Sequence, residues 1–154
     1  MIVVSDTSSV SALLRIGQGE LLARLYGEVL IPGAVRDELL VFFPQLPEFL
    51  HCRAVADTNA VDRLRRELDL GESEAIVLAQ ETHEAILLID ELKGRRVAER
   101  EGVPIIGLMG VLLQAKREGI ILMIRPLLEQ LQTEADFRLS AAFKDSTLKR
   151  AGEL

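Results

Sequence analysis

The chain has 154 residues, 49% of them hydrophobic and 27% charged, with 24 acidic against 18 basic side chains and a net charge of -6. That length fits a single folded unit with a sizeable core, and the apolar fraction excludes a disordered tail. No apolar run reaches the ~18 residues that a membrane span needs, and a start that meets Asp6 without a basic stretch is unlike a signal peptide. The one cysteine, Cys52, excludes an internal disulfide framework and suits a cytoplasmic setting. An acidic chain is not held on nucleic acid by phosphate neutralisation alone, so such a role needs a local basic patch or metal cations.

Ile2-Val3-Val4 reads as a buried strand, followed by the hydroxyl-rich Ser5-Asp6-Thr7-Ser8-Ser9 and an apolar helix through Ile16. Gly17 and Gly19 break it, and Glu20 to Tyr26 forms a second helix. Val29 to Ile31 is the next strand, with Pro32 placed where a first helical turn tolerates it and Val35, Leu39 and Phe42 at helical spacing. Pro44 and Pro47 mark a loop, Cys52 to Val55 a short edge strand, and Asp57 or Thr58 caps a helix to Leu68. Gly71 separates this from a helix over Glu72 to Thr82. Ile86 to Ile89 is the clearest strand, then a helix over Glu91 to Glu101, a strand at Pro104 to Ile106 and a helix from Val111 to Arg117. Two helices, about 125–133 and 140–151, finish the chain.

Strands joined by helices imply crossovers, hence an α/β fold with a central, mainly parallel sheet covered on both faces, in one domain over 1–154. Ligands of such sheets bind beyond the carboxyl ends of the strands. Asp6 follows the first strand and Asp90, with Glu91 beside it, follows the fourth. Glu38 lies one to two turns into the helix after the second strand, and Glu72 and Glu74 lie in the first turn of the helix before the Asp90 strand. Taken singly, Asp6 and Asp90 also read as helix caps, Glu72 and Glu74 as complements to a helix N-terminus, and Glu38 as a surface acid. Together they place acids from four segments at one edge. Two charges ~4 Å apart repel by about 4 kcal/mol at an effective dielectric of 20, relieved by protonation or by a cation. Oxygen-only ligands suit Mg²⁺ or Mn²⁺; His51, Cys52 and His83 lack the spacing of a zinc site. Phosphate-loop, dinucleotide and Gly-x-Ser-x-Gly signatures are all missing.

The ordered set of Val4-Ser5-Asp6-Thr7-Ser8, Ile31-Pro32 with Val35 to Leu39, Gly71-Glu72-Ser73-Glu74-Ala75-Ile76, Leu88-Ile89-Asp90-Glu91, Lys93 to Ala98, Pro104 to Gly107, Gly110 to Leu113 and Phe137-Arg138-Leu139-Ser140 resembles a prokaryotic PIN-like subfamily, related to VapC-type toxin nucleases, over about residues 2–152. The resemblance implies a three-layer α/β/α sandwich and an Mg²⁺- or Mn²⁺-dependent endoribonuclease. It places the four catalytic and metal-binding acids at Asp6, Glu38, Glu74 and Asp90, with Glu72 and Glu91 as neighbouring candidates and Thr7 or Ser8 as hydroxyl support. It also implies RNA as substrate, a homodimer and, for a toxin, a small antitoxin partner. Lys93, Arg95 and Arg96 form the best basic cluster for an RNA backbone; apolar helical surfaces around Leu13, Leu14, Leu21 and Leu22 suit either core or partner. The chain departs from the pattern with Ser9 where relatives often carry proline and Leu108 where they often carry a hydroxyl. The alternatives are a catalytically inactive PIN-like module that binds nucleic acid or protein, and a receiver-like phosphoacceptor, against which Asp6 lacks an adjacent acid.

Overall fold

A computed structural model describes all 154 residues. Five short strands, β1 (Ile2–Ser5), β2 (Val29–Ile31), β3 (Leu50–Cys52), β4 (Ala85–Leu88) and β5 (Ile105–Ile106), form one sheet in the order β3-β2-β1-β4-β5. Every neighbouring pair is parallel, with β1 in register against β4 from Ile2↔Ala85 to Ser5↔Leu88. Nine helices surround it: α1 (Thr7–Arg15), α2 (Glu20–Tyr26), α3 (Gly33–Phe42), α4 (Thr58–Leu64), α5 (Leu70–Glu81), α6 (Leu92–Arg100), α7 (Leu108–Arg117), α8 (Arg125–Glu134) and α9 (Ala141–Arg150).

Strand side chains alternate between faces, so each central strand feeds two cores. Val3, Val29, Ile31 and Leu88 enter a cluster with residues of α1, α2, α7, α8 and α9. Val4, Leu30 and Leu87 enter the opposite cluster with α4, α5 and α6. The result is a three-layer α/β/α sandwich, as the alternation of apolar strands and amphipathic helices implied. Leu13, Leu21 and Leu22 are buried in the first cluster, and Leu14 packs beside it, so these faces are core.

Among the boundaries that differ from the sequence reading, which include the end of α4 at Leu64 rather than Leu68, three have a clear local reason. The third strand lies at Leu50–Cys52 because β2 ends at Ile31, leaving Ala54 and Val55 without a partner strand. Gly71 does not interrupt a helix: Asp69 caps α5 by accepting the Glu72 amide at 2.8 Å, which starts the helix at Leu70. Helix α7 begins at Leu108 because the Asp90 carboxylate receives its first free amide.

The C-terminal end is tied down by one carboxylate. Glu153 accepts from the Ile124 and Arg125 amides at 2.8 and 3.0 Å, capping α8, and from Lys116 Nζ at 2.9 Å. Burial of its side chain raises the carboxyl pKa, but the donors from Ile124, Lys116 and Arg125 outweigh it and hold the value below the usual range.

Candidate active site

In the strand order β3-β2-β1-β4-β5, connections from β1 run first to one side of the sheet and later to the other. The switch point, where a crevice opens beyond the strand ends, lies between β1 and β4. Asp6 and Asp90 follow these two strands, and the Asp6 amide extends the ladder by donating to Leu88 O at 3.2 Å. Topology alone therefore brings together two acids 84 positions apart.

Asp6 is 2% exposed. It caps α1, with Oδ1 accepting the Ser9 amide at 3.0 Å. The Ser9 hydroxyl donates to Asp90 Oδ2 at 2.8 Å, so one serine bridges the two aspartates. Asp90 also accepts the Leu108 amide, at 3.0 and 3.2 Å. Beside it, Arg95 Nη1 donates to Ile89 O at 2.8 Å. Burial pushes the Asp6 carboxyl up to about 7; the Ser9 bonds work against this, and the charges of Asp90 and Asp69 add to it. Asp90 is raised as well, by burial, against the opposing pull of Ser9, the Leu108 amide and Arg95.

The two α5 glutamates face different ways, because residues two apart on a helix do not share a side. Glu72 is seated against Gly94 of α6; burial first, then the charges of Asp69, Glu91 and Asp6, push its carboxyl to about 7. Its Oε2 is buried with no hydrogen-bond partner. Glu74 turns toward α3, where Oε1 accepts the Ala34 amide at 3.0 Å near the start of that helix. Glu38 accepts from Thr7 Oγ1 at 2.8 Å, linking α3 to the start of α1. Ser8 is exposed, and Glu91 is exposed next to Asp90. Of the basic candidates, Arg95 lies by Asp90, Lys93 acts on Glu67 instead, and Arg96 is exposed.

Three glycines make room for these carboxylates. A Cβ on Gly71 would stand 2.5 Å from Glu38 Oε1, one on Gly94 2.7 Å from Glu72 Oε2, and one on Gly107 2.8 Å from Asp90 Oδ1. Real Cβ atoms do not approach that closely, so any side chain there displaces the acid. Glu38, Glu72 and Asp90 are thus each seated against a bare backbone position.

A sequence model of the PIN domain matches residues 2–153. The chain belongs to the PIN-domain family. Comparison with curated proteins and with solved structures gives no match. The PIN fold is a nuclease-type fold, and PIN domains generally are nucleases that use divalent metal ions.

Asp6, Glu38, Glu74 and Asp90 are each engaged by a local donor, and no three His, Cys, Asp or Glu side chains are gathered closely enough to hold an ion as they stand. The donor set nonetheless fits a hard dication. Asp6, Glu72 and Asp90 are oxygen ligands whose charges burial disfavours, and Glu72 Oε2 lacks any partner. An unsatisfied buried acceptor of this kind costs about 1–3 kcal/mol or more, and a cation removes that cost. Sequence reasoning passed over two residues. Ser9 entered only as a departure from proline, although its place three residues after the capping Asp6 aims its amide at the acid. Asp69 was missed, although Asp69-Leu70-Gly71-Glu72 carries the spacing of an N-cap and the helix position it serves.

Proposed function

We propose that the protein is a divalent-metal-dependent endoribonuclease, with Asp6, Glu72 and Asp90 as the core of its metal site and Glu38 at its margin. The observation that carries the reading is the pair of acids after β1 and β4, bridged by Ser9, with the partnerless buried oxygen of Glu72 within range of the Asp6 charge. When bound, Mg²⁺ or Mn²⁺ supplies the positive charge that a scissile phosphate needs and makes water acidic enough to attack near neutral pH. The chain's own residues do the rest. Ser9 fixes the relative orientation of Asp6 and Asp90, and Thr7 holds Glu38 of α3 against the start of α1. Carboxyls that titrate near 7 lose their protons as a cation enters, so occupancy is coupled to pH. Arg95, half-buried beside Asp90, stands where a phosphate oxygen would need a counter-charge.

This assignment puts Glu72, rather than Glu74, at the third acidic position, while Glu74 serves the α3 terminus. The test is cleavage of RNA by nuclease-free protein with Mn²⁺. Wild type cuts; Asp6→Asn and Glu72→Gln lose about a hundredfold or more, and Glu74→Gln loses much less. Intact RNA with wild type, or full cleavage by Asp6→Asn, rejects the reading. A toxin role, with a small antitoxin partner and a homodimer, is a further proposal; growth arrest on induction of wild type but not of Asp6→Asn tests the toxicity, and sedimentation of the purified protein tests the dimer.

The second reading is a PIN module that binds without cutting. It is favoured by the carboxylates' existing hydrogen bonds, Glu38 with Thr7 and Glu74 with Ala34. Under it, Mn²⁺ produces no heat beyond dilution.

A further inference from the structure

A groove of about 1400 Å³ opens on the acid site, reaching Asp90 and Gly107 on one wall and the α8–α9 connection and α9 on the other. It exceeds the roughly 300–1,000 Å³ of a typical small-molecule pocket. Four arginines from separate segments line it: Arg15 at the end of α1, Arg95 of α6, Arg138 of the connection and Arg150 at the end of α9. None of the four forms an ion pair with a carboxylate, in a chain where acids outnumber bases 24 to 18. Asp90, Glu91 and Asp136 are the groove's acids, and the first two stand at the proposed cation site. Away from that end the charged side chains of the lining are mainly basic. Beside Arg138 and Arg150 sits Phe143, 53% exposed, one of only five phenylalanines.

The far wall is built to stay in place. Helix α8 ends with Asp136 at φ 54°, a left-handed conformation that aspartate tolerates, and the Phe137 amide returns to Leu131 O at 2.9 Å. Ser140 then caps α9 through the Phe143 amide, Leu148 is buried, and Glu153 anchors the C-terminal end of α9 to the start of α8. Arginines on a fixed wall lose less freedom on meeting a polyanion than arginines on a loose tail.

We infer that this groove is the binding channel for single-stranded RNA, with Arg15, Arg138 and Arg150 contacting phosphates and Phe143 stacking on a base. The inference rests on the nuclease reading for its substrate and adds where and in what form that substrate lies. Phosphate contact needs cations free of carboxylate partners along a track, and the three exposed arginines supply them, Arg15 from over the Phe42 ring at 5.4 Å. Stacking on a phenyl ring is open only to a base outside a duplex, which makes the strand single. An acidic polypeptide would satisfy the arginines but leave Phe143 without a role.

The experiment is fluorescence anisotropy with a labelled single-stranded oligouridylate, in EDTA so that no cleavage occurs, using the full chain. Arg138→Ala/Arg150→Ala weakens binding, and its salt dependence becomes shallower by about 0.7 per lost phosphate contact. Phe143→Ala weakens binding roughly 5- to 150-fold, whereas Phe143→Trp retains it. Because the chain has no tryptophan, the indole of that variant is a unique reporter, and single-stranded RNA quenches it. Arg63→Ala, on α4 outside the groove, binds as wild type. Wild-type binding by the double arginine variant, an equal loss in Arg63→Ala, no quenching in Phe143→Trp, or equally tight binding of a duplex or of polyglutamate overturns the inference. The failures are separable: quenching without any Mn²⁺-dependent cleavage removes the hydrolase and keeps the channel, and cleavage with unaltered binding by the groove variants does the reverse.

Discussion

Replacing Asp6 with asparagine isolates the energetic cost of its buried charge. Asparagine caps a helix about as well as aspartate, so the bond from the Ser9 amide persists and the change is chiefly one of ionisation. Asp6 titrates near 7 in the folded protein and near 3.8 when unperturbed. A carboxyl whose folded value is raised binds its proton more tightly in the native state. Its contribution is therefore fully present below the unfolded value and is lost as pH rises through about 7. Three pH units at about 1.4 kcal/mol each set an upper bound on the order of 4 kcal/mol. The residue is almost wholly buried, so solvent screening does not erase this. In EDTA, Asp6→Asn should match wild type near pH 4 and exceed it near pH 8. At roughly 2–4 °C per kcal/mol for a chain of this size, the melting temperature rises by several degrees up to about 15 °C. Glu72, whose carboxyl Asp6 helps to raise, should titrate lower in the variant, visible by carboxyl ¹³C NMR. Thermal unfolding across pH is the assay. A variant no more stable than wild type at pH 8, or more stable by the same margin at pH 4, would refute the reasoning.

Other expectations rest on the same geometry. Ser9→Ala removes the bridge to Asp90, and loss of such a supporting bond should weaken Mn²⁺ binding about 10- to 100-fold by calorimetry while the Asp6 cap persists. Gly107→Ala places a Cβ against Asp90 and Arg95 Nη1, so RNA cleavage should fall at least tenfold and stability by about 1–3 kcal/mol in urea titration. Glu153→Ala should cost roughly 2–3 kcal/mol at pH 7, read by chemical denaturation, because it strips charged hydrogen bonds from the α8 cap and Lys116. Since Glu153 has a lowered folded pKa, that contribution is present above the usual glutamate value of 4.5 and disappears as pH falls through the folded one.

The sheet was legible because Val3-Val4, Leu30-Ile31 and Leu87-Leu88 are apolar on consecutive residues, which only strands covered on both faces demand. Acids directly after such strands, Asp6 and Asp90, were legible for the same reason: the carboxyl edge is set by the chain direction. The surroundings of Glu72 and Glu74 were not. Residues two apart on a helix point about 200° from each other, and the sequence does not say which way the packing of α5 turns them; in the fold Glu74 reaches the Ala34 amide of α3 while Glu72 Oε2 is buried without a partner. Asp6 is a helix cap, accepting the Ser9 amide, and this does not conflict with its candidacy as a ligand, since the same carboxylate lies near Asp90. The basic cluster around Lys93 was read from adjacent positions on one helix, whereas the arginines of the groove come from α1, α6, the α8–α9 connection and α9. No local pattern announces a convergence made by packing.

The central claim is that buried carboxylates from β1, β4 and α5 form a site that a hard divalent cation completes. Calorimetric titration of the metal-free protein with Mn²⁺, at pH 6 and pH 8 and in buffers of different ionisation enthalpy, addresses it most directly. Saturable binding that tightens at pH 8 and releases protons at pH 6, and that Asp6→Asn abolishes, is the expected result. Heat of dilution alone, or binding indifferent to pH and to that substitution, would contradict it.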